Sequence, residues 1–393
     1  MNARSRLYDA LKSVDTLAGA FTTRYLCSPR RPMPAAPQDV LAIRLWGLGN
    51  LALLAPQFHA ARGSHRVRLL TLERNGDFVT QHTPWIKPLL LPDPASLRFA
   101  PRLARILRNL RRDSPEVIID FEQFLRLPLW AVRTATGAPS VGLNTPGQGR
   151  LPLLDQVVPY DPTRHVADTF AALWDAAGLP AANGPGPLNV APSALPASIA
   201  AKLDRNSARR PLVVLHPGSG DHFPGRRWPP ERFGQLASRL AQRASAQIVI
   251  TGLPDERRLI RRVRESLGST AHLDLSGELD TSGLVALLAR ANLLITNDTG
   301  PLHLADAVGT LAVALYGPNT PHRYGPRKAG SRAVFADLPC SPCLDDRSMK
   351  RSKCEHFACM EAVNVDVVEK ISLELLEQQL PHPHRESLHA VSR

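Results

Sequence analysis

The sequence contains no apolar run long enough to cross a bilayer as a helix, which takes about 18 residues. Its first residues also lack the uninterrupted apolar core of a signal peptide. No repeat with a period of about 20 to 50 residues is visible, and this excludes solenoids and propellers. We therefore expect a soluble or peripheral cytoplasmic protein.

Acidic residues are scarce relative to basic ones, 35 against 48, which gives a net charge of +13. Such a charge favours an anionic partner: nucleic acid, a nucleotide sugar or anionic lipid. Two arginine-rich stretches, 98–112 and 257–264, have helical spacing and form basic faces, with a merely solvated face as the alternative. Aromatic residues do not interleave with these arginines, as single-stranded nucleic-acid binding would favour. We therefore expect a membrane surface or an anionic glycan as partner, and no nucleic acid.

Cysteine is also rare, and four of the five cysteines lie close together in the sequence. They form a C-x2-C-x10-C-x4-C pattern, whose spacing is near that of structural zinc sites. A loop whose cysteines only pack is the alternative. The candidate zinc ligands are Cys340, Cys343, Cys354 and Cys359.

Strand and helix patterns alternate along most of the chain, which predicts parallel sheets with right-handed crossovers. The stretch 178–198 is rich in proline, alanine, glycine and asparagine and marks a domain boundary. A glycine-rich loop follows the first strand of each half. This predicts an α/β fold of two Rossmann-like domains whose parallel sheets face each other across a cleft. The predicted parts are a basic amphipathic arm and linker (1–36), a first domain (37–185), a second domain (186–366) with a cysteine-rich insertion (340–359), and a C-terminal helix and tail (367–393).

The segment 292–326 carries the strongest functional signal. Leu293–Thr296 predicts a buried strand, Leu302–Val308 a short helix that ends at Gly309, and Leu311–Tyr316 a second strand. A helix that begins directly after a buried strand offers free amides and the positive end of its dipole to a phosphate group. An ordinary strand–helix–strand unit with a capping aspartate is the alternative.

Within this segment, Asn-Asp-Thr-Gly-Pro-x-His-x-Ala at residues 297–305 resembles the signature of the ADP-heptose:lipopolysaccharide heptosyltransferases, glycosyltransferase family nine. Segments 40–50, 216–233 and 340–343 resemble the family's glycine loop, central phosphate-loop region and cysteine-rich insertion. The resemblance implies a GT-B fold and an inverting glycosyltransferase that needs no catalytic metal. It also implies transfer of a heptose or related sugar from a nucleotide donor, such as ADP-heptose, to lipopolysaccharide or another surface glycan at the inner membrane.

The resemblance further implies a donor-binding set in the second half of the chain. Arg226 stands where the family usually has lysine, which keeps the charge and adds a bidentate fork. Glu256 either meets the ribose or caps the helix that starts there. Asp298 lies at the donor site or holds the helix N-terminus together. The full candidate set is His216, Ser219, Gly220, Arg226, Glu256, Asp298, Thr299, Gly300, and the amides of Leu302 and His303.

The acceptor side departs from the family at Asn50, where an aspartate is the presumed base for the acceptor hydroxyl. An amide cannot take that proton in a useful pKa range. Asp120 and Glu122 follow the strand Val117–Ile119 and are substitute candidates, with a plain loop role as the alternative for each. The loss of the usual base also favours a second hypothesis, a catalytically impaired homologue that binds nucleotide sugar or glycan.

Overall fold

The computed structural model describes residues 15, 30–191, 195–204, 210–220, 224–344, 352 and 354–379. The chain divides into two compact units, residues 1–189 and 190–393. Each unit contains a sheet of six parallel strands flanked by helices, which confirms the predicted α/β class with two Rossmann-like domains. Most of the predicted N-terminal arm lies outside the described residues. None of the described helices is long and apolar enough to cross a bilayer.

The first unit has the strand order β3-β2-β1-β4-β5-β6, and all neighbours in it are parallel. Its strands are β1 (Asp39–Ile43), β2 (Arg66–Leu72), β3 (Lys87–Leu91), β4 (Val117–Asp120), β5 (Ser140–Asn144) and β6 (Gln156–Pro159). Its helices are α1 (Leu48–Ala60), α2 (Gly76–His82), α3 (Phe99–Arg112), α4 (Leu127–Thr136) and α5 (Val166–Ala176).

The second unit has the strand order β12-β11-β10-β7-β8-β9, again with all neighbours parallel. Its strands are β7 (Leu212–His216), β8 (Gln247–Ile250), β9 (His272–Asp274), β10 (Leu293–Asn297), β11 (Leu311–Tyr316) and β12 (Arg332–Phe335). Its helices are α6 (Ala197–Asp204), α7 (Pro230–Arg243), α8 (Arg257–Leu267), α9 (Thr281–Arg290), α10 (Gly300–Val308), α11 (Pro321–Tyr324), α12 (Ala358–Glu361) and α13 (Val365–Glu377).

The central strands of each sheet are continuous apolar runs because helices cover both faces. In β1 the residues from Val40 to Ile43 are fully buried, and so are all five residues of β7. Burial of this kind removes about 1.5 to 3 kcal/mol of unfavourable hydration per large aliphatic side chain. The sheets are therefore rigid platforms for the loops that follow their strands.

Both sheets reverse their strand order in the middle, between β1 and β4 in the first unit and between β7 and β10 in the second. At such a switch point the two neighbouring loops leave in opposite directions and open a crevice at the carboxyl ends of the strands. The segments that follow these strands contain Asn50, in the first turn of α1, and Glu122 in one sheet, and Ser219 and Asp298 in the other. The fold therefore brings the predicted site residues to the two switch points.

Helix α10 begins at Gly300, one residue before Pro301, which suits the start of a helix because it needs no amide there. It ends as predicted, because Gly309 takes a left-handed conformation with φ of 82°. Helix α1 likewise begins at Leu48, which puts Asn50 inside the first helical turn instead of in the loop before it.

Candidate functional site

Arg226 and Asp298 are the charged pair at the switch point of the second sheet. The Arg226 Nη1 atom donates to the Asp298 carbonyl at 2.9 Å and lies 3.4 Å from the Asp298 Oδ2 atom. Its Nη2 atom donates to the Ser219 carbonyl at 3.1 Å. The Arg226 Nε atom is buried and has no acceptor among the described residues. The Arg226 guanidinium therefore links the loop after β7 to the loop after β10, and its Nε–H group can still donate to a ligand.

Asn297 is the second link between these loops, a role that the sequence pattern did not predict. Its Nδ2 atom donates to the Pro217 carbonyl at 2.7 Å, and its Oδ1 atom accepts from the Trp228 amide at 2.9 Å. The side chain is fully buried, so both bonds are shielded from water. Asn297 thereby fixes the position of the segment that carries Arg226 relative to the end of β10.

Glu256 holds the loop after β7 from the other side. Its Oε1 atom accepts from the amides of Ser219 at 3.1 Å and Gly220 at 3.2 Å, and its Oε2 atom accepts from the Leu253 amide at 2.9 Å. A side chain at Gly218 would meet this carboxylate, since an added Cβ atom would lie 2.1 Å from Oε2. Of the two sequence alternatives for Glu256, the cap fits better, although it caps the turn at 254–256 and not α8.

These bonds change the predicted role of the loop after β7. The amides of Ser219 and Gly220 are engaged by the Glu256 carboxylate, so in this structure they are not offered to a phosphate. The carbonyls of the same residues accept from Arg226 and Arg227. The loop therefore contributes to the site mainly by placing the two guanidinium groups.

The first turn of α10 has Thr299 as its N-cap residue. The Leu302 amide donates to the Thr299 carbonyl at 3.2 Å, so the prediction that this amide faces a phosphate differs from the structure. In a helix that begins at Gly300, the His303 amide makes the first i to i−4 bond, and the Gly300 amide has no intrahelical acceptor. The Thr299 amide also precedes the first intrahelical bond, so the amides of Thr299 and Gly300 are the donors that this turn can offer to an anion.

Further polar side chains surround the Arg226–Asp298 pair. The Asn319 Nδ2 atom donates to the Asp298 Oδ2 atom at 2.7 Å. His216, at the end of β7, is buried beside the Thr251 hydroxyl at 3.1 Å, and burial lowers the pKa of its imidazole while Glu256 opposes that shift. Burial thus favours the neutral form of the His216 imidazole. Neither Asn319 nor its bond to Asp298 was predicted.

Asn50 lies at the switch point of the first sheet, above a tight turn. Gly47 has a φ of 86°, and a Cβ atom there would lie 2.6 Å from the Asn50 Nδ2 atom. The Asn50 amide donates to the Gly47 carbonyl at 3.0 Å. The turn therefore needs glycine at 47, and it holds the Asn50 side chain, which is partly exposed, over the start of α1.

Asp120 and Glu122, the substitute candidates for a base, are both buried and bonded. The Asp120 Oδ1 atom accepts from the Glu122 amide at 3.0 Å, and its Oδ2 atom pairs with Arg150. Glu122 Oε1 accepts from the Leu45 amide at 2.7 Å, and its Oε2 atom lies 3.6 Å from Arg44. Burial raises the pKa of Asp120 to about 7, against the opposing charge of Arg150.

These contacts make Glu122 a brace of the loop between β1 and α1, while Asp120 holds the Glu122 amide and Arg150. Asp120 is 1% exposed and Glu122 is 6% exposed. Neither therefore presents a free oxygen to an acceptor hydroxyl in this structure. The sequence hypothesis that one of them is the base remains a prediction, and the geometry favours the plain loop role.

The cysteine-rich segment is only partly described. Cys343 Sγ lies 3.2 Å from the Ser352 hydroxyl, and the Phe357 amide donates to Cys354 Sγ at 3.3 Å. Burial raises the pKa of the Cys359 thiol, and the other three cysteines of the cluster raise it further. Among the described residues, no three potential ligands of the histidine, cysteine or carboxylate kind gather closely enough to hold a metal ion.

The second-unit arrangement is suited to an anion. It combines a partly buried arginine, paired with Asp298, with the positive end of the helix that begins two residues later. A diphosphate that leaves a sugar carries charge that such groups stabilise without a proton transfer.

A family comparison agrees with this chemistry. The family described as "Glycosyltransferase family 9 (heptosyltransferase)" matches residues 103–353, which is more than half of the chain. Among curated proteins, "Lipopolysaccharide heptosyltransferase 2" of Salmonella typhimurium is 30% identical over 131 residues, which are 33% of this chain and 37% of that protein. The match thus spans little more than a third of the length of that relative.

Solved structures match over a much longer part of the chain. A glycosyl transferase family 9 protein from Veillonella parvula has a TM-score of 0.71 at 22% identity, over 88% of this chain and 99% of the other. The "E. coli ADP-heptose lps heptosyltransferase II" has a TM-score of 0.66 at 18% identity, over 87% of this chain and 99% of the other. At these identities the likeness concerns the fold, and it covers both units.

Proposed function

This chain belongs to glycosyltransferase family 9, and from that premise we propose that it transfers a heptose or related sugar from a nucleotide donor to a lipopolysaccharide core or another anionic surface glycan. We take ADP-heptose as the donor and the cytoplasmic face of the inner membrane as the place of reaction. The observation that supports the proposal most is the Arg226–Asp298 pair at the N-terminus of α10.

In the proposed reaction the acceptor hydroxyl oxygen attacks the anomeric carbon from the face opposite the leaving group. The bond from that carbon to the diphosphate oxygen breaks, so the sugar configuration inverts and the nucleoside diphosphate leaves. Arg226 and the Gly300 amide stabilise the charge that develops on the diphosphate. Asp298 and Asn297 position this guanidinium, and the charge is met by the chain's own groups without a catalytic metal.

The acceptor hydroxyl must also lose its proton to a base. The Asn50 amide can orient the hydroxyl but cannot accept its proton. Asp120 and Glu122 remain proposals for the base, with the burial described above against them. This gap gives weight to the second candidate, a homologue that binds nucleotide sugar or glycan without turning it over.

A paired assay separates the two candidates. We expect ADP to raise the melting temperature of the chain by mass action, and ADP-heptose to be consumed when a heptose-free lipopolysaccharide core is present. Thermal shift with ADP, UDP, GDP and CMP measures the first, and release of nucleoside diphosphate measures the second. Binding without release would support the second candidate, and the absence of both would remove the donor site from the second unit.

We also keep the structural zinc site as a proposal that rests on the cysteine spacing. Purified protein is then expected to carry about one equivalent of zinc, since four thiolates complete a tetrahedral site. Elemental analysis of wild type and of Cys343→Ser measures this, with Cys27→Ser as the matched control outside the cluster. Metal-free protein with unchanged thermal stability would reduce the cluster to packing.

A further inference from the structure

The outer face of α3 carries four arginines that nothing in the described chain neutralises. Arg105, Arg108, Arg111 and Arg112 are exposed, and none of them has an ion-pair or hydrogen-bond partner among the described residues. The helix contains no acidic residue, while Ile106 and Leu110 bury its inner face. Like charges at i, i+4 spacing destabilise a helix, so this face costs stability unless an outside anion meets it.

The second basic helix, α8, is built differently. Arg262 pairs with Glu231 at 2.7 Å, and Arg264 lies 3.4 Å from Asp274. These two pairs and Glu265 within the helix offset part of the charge of α8, although Arg257, Arg258 and Arg261 are exposed and have no partner among the described residues. The helix α3 differs because it has no acidic residue and none of its four exposed arginines forms an ion pair.

A nearly fully exposed leucine stands directly before this face. Leu97 is 97% exposed, two residues before the start of α3. A single exposed leucine is ordinary on a protein surface. It precedes the first of the four arginines by eight residues along the same segment, and basic side chains that meet headgroups together with an apolar one that enters the acyl boundary are typical of a surface that binds a bilayer.

A recess lies under the same helix. Its volume is about 190 Å³, and its cationic lining comes from Arg68, Lys87, Arg102 and Arg105. That volume is several times the roughly 30 Å³ that one water occupies in the liquid, so it has room for a phosphate group. The one carboxylate in the lining, Asp113, bonds Arg66 at 2.6 Å and lies 3.6 Å from Arg68, which also pairs with Asp39 at 2.8 Å. The cations of the lining without an ion pair among the described residues are therefore Lys87, Arg102 and Arg105. A headgroup phosphate is therefore a suitable occupant.

The topology links this surface to the acceptor side. Leu97 and the start of α3 follow the carboxyl end of β3, and the loop that carries Asn50 follows the carboxyl end of β1 in the same parallel sheet. Both therefore lie at the same edge of the first unit. The arginines from Arg105 onward lie farther along α3, which runs back toward the amino ends of the strands, so only the Leu97 end of this surface shares an edge with Asn50.

We propose that the outer face of α3, together with Leu97, docks this chain on a bilayer that contains anionic phospholipid. The arginines contact headgroup phosphates, and Leu97 enters the boundary of the acyl chains. The inference rests on the proposed function only in that transfer to a lipid-linked acceptor explains why the chain would bind a bilayer. Binding itself does not require sugar transfer.

The test is sedimentation of the full chain with vesicles of phosphatidylethanolamine and phosphatidylglycerol. Each basic residue near such a surface contributes about five-fold to partitioning, so Arg105→Ala/Arg108→Ala/Arg112→Ala is expected to bind about 100-fold less. Leu97→Ser is expected to lose about ten-fold, with little dependence on salt. Vesicles of phosphatidylcholine alone should bind the wild type weakly.

The matched control is Arg257→Ala/Arg258→Ala/Arg261→Ala on α8, which removes the same charge from exposed residues. We expect it to bind vesicles like the wild type. Equal loss in both triple variants, or no binding by the wild type, would overturn the proposal. Melting curves verify that each variant is folded.

The two proposals fail separately. Turnover of a soluble, lipid-free glycan acceptor is expected to be unchanged in the α3 triple variant. If vesicles bind but no acceptor is glycosylated, the proposed function fails and the docking surface stands. If soluble-glycan turnover falls while vesicle binding is kept, the α3 face binds the glycan and the docking proposal is overturned.

Discussion

Replacing Arg226 by alanine is expected to lower the rate of sugar transfer by about 100-fold or more, the scale that follows loss of one preorganised donor to a developing charge. The guanidinium is 15% exposed and held by two carbonyls and the Asp298 carboxylate, so it costs little reorganisation at the moment of reaction. Asp298→Ala should cause a similar loss because Arg226 then loses its anchor. Steady-state release of nucleoside diphosphate measures both.

Controls separate this role from a loss of fold or of charge. Arg262→Ala removes an exposed arginine from the same unit and should change the rate less than about two-fold, because exposed ion pairs contribute little. If Arg226 and Asp298 act as one unit, the double variant should lose little more than either single variant. A folded Arg226→Ala protein with the wild-type rate would place the donor phosphates elsewhere.

Replacing Arg150 by methionine is expected to lower the free energy of unfolding by about 3 to 5 kcal/mol, because it leaves the buried Asp120 carboxylate without its partner. Arg150 is fully buried, and it bonds both Asp120 and the Glu122 carbonyl. Chemical denaturation of the wild type and the variant measures the change. Adding Asp120→Asn to Arg150→Met should recover part of the loss, since position 120 then carries no unpaired carboxylate.

The loss of stability caused by Arg150→Met is also expected to depend on pH in a definite direction. Burial raises the pKa of Asp120 from 3.8 to about 7, so the folded state binds the proton more tightly than the unfolded state. The contribution of Asp120 to stability therefore falls as pH rises through this interval. Without Arg150 the interval extends upward, so the variant should lose more stability at pH 8 than at pH 6.

A surface pair in the same unit provides the comparison. Arg66 pairs with Asp113 at 2.6 Å, with 46% and 54% of the two side chains exposed. Arg66→Met should leave the unfolding curve nearly unchanged at every pH, because water screens this pair. Equal effects of Arg150→Met and Arg66→Met would show that Asp120 does not depend on its buried partner.

The sequence predicted the central strands well and the edge strands poorly. Strand β11 has the predicted bounds, and β10 extends the predicted strand by one residue, since both are buried apolar runs. Strands β3, β6 and β12 were missed. They lie at the edges of the sheets, are only partly buried, and two of them contain proline, so none has a continuous apolar pattern.

The candidate site was predictable only where its residues are local. The motif at 297–305 indicated a phosphate-binding helix start because a strand, a turn and a helix follow one another within it. The bonds of Asn297 to Trp228, and of Arg150 to Asp120, join residues 69 and 30 positions apart. No local pattern encodes such pairs, since they arise only when the sheet has formed.

The carboxylate of Glu256 has a consequence for ligand binding. It supplies to the amides of Ser219 and Gly220 the negative charge that a ligand would otherwise bring, so this loop has its shape before any nucleotide arrives. Such preorganisation removes the conformational entropy that a floppy loop would lose on association. A nucleotide that contacts this loop meets it already ordered, and the energy of those contacts goes into affinity instead of into ordering the chain.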